Sequence, residues 1–596
     1  MSEMTDMRQQ YWHQATRGRT ARRGANRRRR ALVLVVVLVM VALLALLGAS
    51  FTFFVHANLS TAIAEQERFQ ARMAAESGVQ RAIVMLTRDP DDPNHTSDVG
   101  VWYDNPDEFR GAVVAGGEGE DPKAAGSATF RQRTDQETTY DPHAKPVWRF
   151  NVVARNYDDP ETVRYGVTDE CSKLDINLAT AAQLQWLFEQ VIPVDTENPV
   201  DIGALVDSLL DWREPGATPR ANGAKDDYYL ALDPPYACKK GPFSTVEELL
   251  LVHGFTAWVL YGEDYNRNGL LDFNENDGDE TFPSDNADSE LFAGVAPLLT
   301  VWSRELNTAN DNRPRINLNL QDVDKLQEKL QPYVGGNVLN YILNVRAAGK
   351  KFNSVMNLLP APPTPPPEEG AEEEPPTDAP TAPDVGPASS QPEGENAAAS
   401  QPVLSDLDQT AKPSEKKPAT SQPVYQNLTD EEPPGGYQDL PLLLDRLTVQ
   451  TAPAFSGRIN ISTAPRPVLI TIEELSEADV EAIVVARREL APEERATPAW
   501  LLTKGVLDEY KFRQILDKIT TKSSVYTIET IGYADHVGVM ERLSVALELR
   551  GPVAQVLYYR NLGGLGPAYR PHADERRGTA GMNSGGQGQG TARVKK

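Results

Sequence analysis

The sequence predicts an α+β chain: a long N-terminal helix, strand segments in two distant places, and a helical region between them. Three observations carry this. Arg27–Arg30 meet an uncharged stretch, Ala31–Val55, that continues without proline into helically spaced Ile63, Phe69, Met73, Val79, Ile83 and Leu86. Alternating apolar and polar residues mark strands in two distant places, before residue 170 and after residue 524. Capped helical segments fill much of the distance between them.

The apolar stretch is long enough to cross a bilayer core, which needs roughly 20 residues. A cleaved secretory signal would have a shorter core followed by a small-residue site, whereas Gly48-Ala49-Ser50 lies inside this one. The reading is therefore an uncleaved or pilin-type anchor. Residues 1–30 hold nine arginines against Glu3 and Asp6, a charge of +7, while the chain as a whole carries -26. A basic flank predicts a cytoplasmic N-terminus, with the acidic bulk on the other side. That acidity argues against nucleic acid as the main partner, since phosphate binding needs clustered positive charge.

The helix is expected to end near Asp89-Pro90. Strands are expected at Ser127–Gln132, Val147–Arg155, Thr162–Thr168, Val525–Gly532, Arg542–Arg550 and Ala554–Tyr559. Thr180-Ala-Ala-Gln183 is a capping-box pattern opening Leu184–Val191, Ile202–Trp212 is a second helix, and Ser244-Thr-Val-Glu247 is another capping box before Glu248–Leu251. Asp175-Ile-Asn-Leu, Arg315-Ile-Asn-Leu and Arg458-Ile-Asn-Ile form a dispersed internal repeat, each ending a short strand before helical sequence. The third continues through Ser476–Arg488, Pro498–Leu502 and Tyr510–Ile519 in a helix-hairpin-helix pattern. Pro360–Gly436 is rich in Pro, Glu, Ala and Ser, a composition that cannot bury a core, and reads as a linker.

Asp264, Asn266, Asn268, Leu270, Asp272 and Glu275 fall at positions 1, 3, 5, 7, 9 and 12 of a calcium-loop pattern, with Gly269 at position 6. Alternating oxygens in a tight turn converge on one point, Leu270 offers a carbonyl, and Glu275 offers two oxygens, as calcium demands. The alternative is a solvated acidic loop. Asp277, Asp279, Asp285 and Asp288 are candidates for a second, weaker site. Cys171 and Cys238, both on the exported side, are expected to pair as a disulfide, the alternative being two free thiols. No phosphate loop, Ser/His/Asp arrangement or zinc ligand set stands out, so no enzyme and no catalytic residue is expected. His253 reads as a helix-end histidine.

The order of Gln70-Ala-Arg-Met-Ala-Ala-Glu-Ser-Gly78, Asp175-Ile-Asn-Leu-Ala-Thr180, Leu209-Leu-Asp-Trp-Arg-Glu214, Asp226-Asp-Tyr-Tyr229, Pro242-Phe-Ser-Thr-Val-Glu-Glu-Leu249 and Arg315-Ile-Asn-Leu-Asn resembles the type II secretion system protein K family, the large minor pseudopilin. The resemblance implies a pilin-like long helix on a small sheet, interrupted by a helical, SAM-like or helix-hairpin-helix domain that binds structural calcium. It also implies a place at the pseudopilus tip with minor pseudopilins similar to proteins I and J. The role would be priming assembly and supporting export of folded proteins across the outer membrane. Expected partners further include the inner-membrane secretion platform and prepilin peptidase. The expected location is the cell inner membrane, single-pass, with the bulk periplasmic. Pilin-like precursors have glycine before the apolar helix and glutamate five residues in, whereas here Ala31 precedes Leu32 and the fifth residue is Val36. Cleavage between Ala31 and Leu32 is left open, and the missing glutamate fits a tip subunit. A minor pilin of a type IV pilus and a membrane-anchored DNA receptor are the alternatives.

The predicted organisation is a basic tail (1–30), membrane helix (31–55), periplasmic helix (56–89), pilin-like β region (90–170) and inserted helical domain with the calcium loop (171–359). The linker (360–436), a second helix-hairpin-helix unit with returning strands (437–565) and a terminal tail (566–596) follow.

Overall fold

The computed structural model describes residues 3–87, 102–115, 147–157, 159, 162–194, 199–278, 280–283, 285, 287–361, 428, 432–534 and 538–566, with side chains from residue 36 onward. The expected strand Ser127–Gln132, most of the linker, the terminal tail and Asp279 lie outside these residues.

Helix α1 runs Glu3–Thr87, 85 residues or about 130 Å at 1.5 Å per residue. It extends through the stretch expected to be a basic tail. Arg, Gln, Ala and Met favour helix there, and adding turns to an existing helix needs no new nucleus. From Val36 through Phe54 its apolar side chains are exposed all round, and it is long and apolar enough to cross a membrane.

Its C-terminal part buries Ala71, Ala74, Ala75, Val79 and Ala82 against a sheet. The sheet contains β1 (Ala112–Ala115), β2 (Trp148–Arg155), β3 (Val163–Arg164), β4 (Thr168–Asp169), β5 (Val525–Ala534), β6 (Met540–Arg550) and β7 (Val553–Asn561). The order is β1-β2-β5-β6-β7, with β3 on β2, β4 on β5, and every pair antiparallel. Small residues let helix and sheet approach closely. A Cβ on Gly532 of β5 would fall 1.9 Å from the Ala71 carbonyl, so this glycine is a contact requirement. Neighbouring strands β2 and β5 are separated in sequence by the whole helical region, the interrupted sheet that the resemblance implied.

Two compact units divide the chain: residues 1–315 with 452–507 and 514–596, and residues 316–451 with 508–513. The repeat seen in the sequence becomes three copies of one local scaffold. In copy one, Leu174–Asp175 pairs in parallel with Leu299–Thr300. In copy two, which makes up most of the second unit, Ile316–Asn317 pairs with Leu447–Thr448. In copy three, Ile459–Asn460 pairs with Ile519–Thr520. The side chains of Asp175, Asn317 and Asn460 each accept from the N–H two residues on, at 2.9, 2.8 and 3.0 Å. The hydroxyls of Thr300, Thr448 and Thr520 likewise accept from the N–H two residues on. This places Asp175 opposite Asn317 and Asn460, two residues out of register with the sequence match of the Ile-Asn pairs. The shared physics is an Asx turn ending a strand, which aspartate and asparagine both make.

Paired helices follow each strand. Copy one has α2 (Ala181–Val191) and α3 (Ile202–Arg213), and copy two has α5 (Val323–Leu330) and α6 (Gly336–Ala347). Copy three has a short helix, Arg466–Leu469, then α7 (Glu477–Glu489). Copy one also contains α4 (Ala257–Tyr261), ahead of its Leu299–Thr300 strand. An arginine near each second helix end reaches back to a main-chain carbonyl: Arg213 to Ile176, Arg346 to Leu320, Arg487 to Ala464. The Thr180/Gln183 capping box is formed. The one expected at Ser244/Glu247 is not. The turn is a 3-10 helix, Val246–Leu251, and the Ser244 N–H donates instead to Glu248.

Candidate functional site

The loop Asp264–Glu275 follows α4 and folds into the tight turn its sequence predicts. Gly269 has φ +74° and Arg267 φ +57°. The N–H groups of Asn268 and Gly269 donate to Asp264 Oδ1 and Oδ2 at 2.9 and 3.0 Å. The Asn268 N–H also reaches Asn266 Oδ1, and the Leu270 N–H reaches Asn268 Oδ1. Asn266 and Asn268 donate through Nδ2 to Asp272 Oδ2 at 2.6 and 2.9 Å. Glu275 accepts the Tyr265 N–H on one oxygen and the Asp272 N–H on the other, each at 3.0 Å. Five oxygen-bearing side chains are thus drawn together around one turn.

Asp264 is 3% and Glu275 1% exposed. Burial pushes the Asp264 carboxyl up, opposed by Arg155. Burial, with Asp264 and Asp272 adding to it, pushes Glu275 up to about 8. Among the described residues no three His, Cys, Asp or Glu side chains form a metal centre by themselves. The side-chain donors here are mixed: carboxylates and two amides. All are hard oxygens, the set that suits calcium, and Asp264, Asn266, Asn268, Leu270, Asp272 and Glu275 would hold it.

The second candidate cluster looks different. Asp285 accepts the N–H groups of Asp277, Gly278 and Ala287, Asp277 accepts from Thr281, and Asp288 accepts from Glu290. These carboxylates cap their own turns.

The disulfide expectation is corrected. Cys171 and Cys238 are buried free thiols. Cys171 donates to the Arg304 carbonyl at 3.3 Å, while Cys238 lies 3.6 Å from the Asp211 carbonyl. Each is fixed by its own segment, and burial raises both thiol pKa values. His253 takes its main-chain N–H to Tyr229 and lies 3.3 Å from Ser208, a structural position.

Sequence reasoning missed the residues that join the scaffold copies to the sheet. Asp169 of β4 accepts from Asn460 at 2.6 Å and Thr463 at 2.8 Å. Glu170 accepts from Thr300 at 2.5 Å and Thr527 at 2.7 Å and pairs with Lys173 at 2.7 Å. Glu305 pairs with both Arg315 and Arg458, at 3.0 and 3.2 Å. Arg155 and Arg542 reach the loop from β2 and β6. A cavity of about 230 Å³ lies between the loop and the sheet. Around it Arg155–Asp264, Arg542–Glu529 and Arg560–Glu247 are paired. A basic residue before each scaffold strand, namely Lys173, Arg315 and Arg458, was the one available signal.

These features define the class: an α+β protein with one N-terminal apolar helix suited to a single-pass membrane anchor, laid on an antiparallel sheet with a helical insertion. Residues 158–261 match the family model of the first domain of type II secretion system protein K. The resemblance drawn from the motifs therefore holds over this span. The match ends before Asp264. No curated protein matches the chain. Among solved structures, the crystal structure of the GspK-GspI-GspJ complex from the enterotoxigenic Escherichia coli type 2 secretion system aligns with 84% of this chain and 99% of that chain. Identity is 9% and the TM-score 0.34.

Proposed function

We propose that this chain is a minor pseudopilin at the tip of a type II secretion pseudopilus, priming its assembly and supporting export of folded proteins across the outer membrane. The observation that carries this is the protein K match over residues 158–261. Two features support it: an apolar helix that continues unbroken into a sheet-packed segment, and the absence of a glutamate at the fifth position after Ala31. In this reading the anchor lies in the inner membrane with its N-terminus cytoplasmic, and prepilin peptidase cuts between Ala31 and Leu32. The partners are minor pseudopilins similar to proteins I and J and the secretion platform. The three scaffold copies are SAM-like, helix-hairpin-helix units, and calcium bound by the Asp264–Glu275 loop is structural.

Photo-crosslinkers placed at Leu59, Ile63 and Phe69, all exposed on α1, test the reading in cells. Adducts with pseudopilins of the I and J kinds support it. Adducts with type IV pilus subunits overturn it in favour of a pilus role, and salt-sensitive DNA binding favours the receptor alternative. N-terminal sequencing of the membrane-inserted protein reads the cleavage directly.

A further inference from the structure

We infer that Arg155 and Arg542 form a clamp, borne by the sheet, that positions the cation loop and transmits its state to strands β2 and β6. For the identity of the ion this rests on the calcium reading above. The clamp itself rests on contacts within one compact unit.

Arg155 ends β2, and its Nη2 donates to Asp264 Oδ2 at 2.5 Å. The guanidinium lies flat against the loop: a Cβ on Gly269 would stand 2.6 Å from Arg155 Nε. Gly269 is therefore demanded twice, by its positive φ and by the arginine packed on it. Arg542 on β6 donates through Nη1 to the Asn266 carbonyl and through Nη2 to the Arg267 carbonyl, both at 2.6 Å. Its Nη2 also donates to Glu529 of β5 at 3.0 Å. The Arg542 fork, and the Arg155 guanidinium with its one hydrogen bond and its packing on Gly269, thus hold loop positions 1, 3, 4 and 6 from strands that flank β5. The side chain of Arg542 is 3% exposed, and Asp264 is as deeply buried. Charge-assisted hydrogen bonds in such surroundings are strong, and losing one partner leaves the other buried and unpaired.

Arg155 pairs with Asp264 and acts as a positioning residue outside the ligand set. Whatever fixes Asp264 also fixes Arg155 and the end of β2, and coupling of this kind is reciprocal. Arg267 offers an internal contrast. It sits in the same loop, but its guanidinium stacks 3.7 Å from the Tyr261 ring centroid and does not tie the loop to the sheet.

The test is hydrogen exchange by mass spectrometry on the full chain in detergent, comparing wild type with R155Q, R155K, R542Q, R267Q and the R155Q/R542Q pair, in EDTA and in calcium. In EDTA, loop amides 264–275 exchange about tenfold faster in R155Q and R542Q and within about twofold of wild type in R267Q. R155K, which keeps the charge without the planar guanidinium packed on Gly269, recovers part of the protection. Calcium slows exchange in β2 and the first half of β6 in wild type but not in the paired variant. Unchanged loop exchange for R155Q and R542Q in EDTA overturns the clamp, as does an undiminished response of the strands to calcium in the paired variant. Failure of calcium to slow the wild-type loop overturns the calcium reading and the transmission that depends on it, while the EDTA arm still judges the clamp.

Discussion

Copies one and three of the scaffold share their strand pairing, Asx turn, threonine and anchoring arginine, yet differ in what lies between the helices and the threonine strand. Copy three goes from α7 to Ile519–Thr520 through short helical turns. Copy one inserts the Asp264–Glu275 loop and the acidic turns after it, between α4 and Leu299–Thr300. Copy one also carries Asp175 where the other two carry Asn317 and Asn460. The contacts that close each copy are therefore those of a packing unit, while the segment that sets copy one apart is a connecting loop, the kind of element where function usually sits.

The largest effect tests whether the shared frame is what holds each copy. Ile176, Leu318 and Ile461 occupy the same place, each fully buried, and each N–H donates to its copy's threonine carbonyl. Ile461→Ala should cost about 2–4 kcal/mol, the usual range for truncating a buried aliphatic side chain, and Ile176→Ala should cost a similar amount. Denaturant unfolding of the detergent-solubilised chain measures both. A cost under 1 kcal/mol at either site, on the order of a surface change, would break the equivalence of the copies.

Calcium should separate copy one from the others. At about a hundredfold excess over its dissociation constant, an ion bound only by the folded loop adds about 2.7 kcal/mol of stability. Asp264→Ala with Glu275→Ala should abolish the gain, whereas Asn460→Ala should lower baseline stability and leave the gain intact. Thermal unfolding with and without calcium reads each outcome, and equal responses in all three proteins would refute the assignment of the ion to the loop.

Much of this frame was legible in the sequence, because periodicity, capping and turn chemistry are local. Thr180 and Gln183 stand three apart and make the box their spacing predicts, and the loop spacing from Asp264 to Glu275 gives the observed turn. What was not legible depends on residues far apart. Arg155, Asp169 and Arg542 lie alone in strand sequence, and nothing nearby marks Asp264, Asn460 or Asn266 as their partners. The repeat was found but placed two residues out in copy one, because Ile-Asn matches by letter, whereas the turn depends on an Asx side chain two residues before the N–H it caps.

A smaller effect follows from the Asp175 exchange. Burial pushes its carboxyl up to about 6, opposed by the Asn177 and Ser303 N–H groups and by Arg213. The folded value lies above the unfolded one, so the folded state binds this proton more tightly. The stability it confers is full below about pH 4 and is lost as pH rises through about 6. Asp175→Asn keeps the turn and fixes the neutral form, as in copies two and three. The variant should match wild type near pH 4 and exceed it by about 3 kcal/mol at pH 8. Unfolding free energies at the two pH values decide this, and a pH-independent difference would show that Asp175 does not titrate as its burial demands.

The smallest effect concerns the thiols, which also distinguish copy one, since copies two and three contain no cysteine. Cys171 sits in the turn joining β4 to copy one and Cys238 within it, each buried and each held to a different main-chain carbonyl. Exported proteins often gain stability from a disulfide that restricts the unfolded chain, but here the two sulfurs serve separate packing sites. Iodoacetamide should leave Cys171 unmodified in the native chain, because burial disfavours the thiolate that would react. Unfolding without reductant should expose both to alkylation. Cys171→Ser should cost about 1 kcal/mol or less, because a hydroxyl can still donate to the Arg304 carbonyl. A Cys171–Cys238 linked peptide in non-reducing mass spectrometry would instead mean that the segments carrying Asp211 and Arg304 rearrange, and with them the frame on which the comparison of the copies rests.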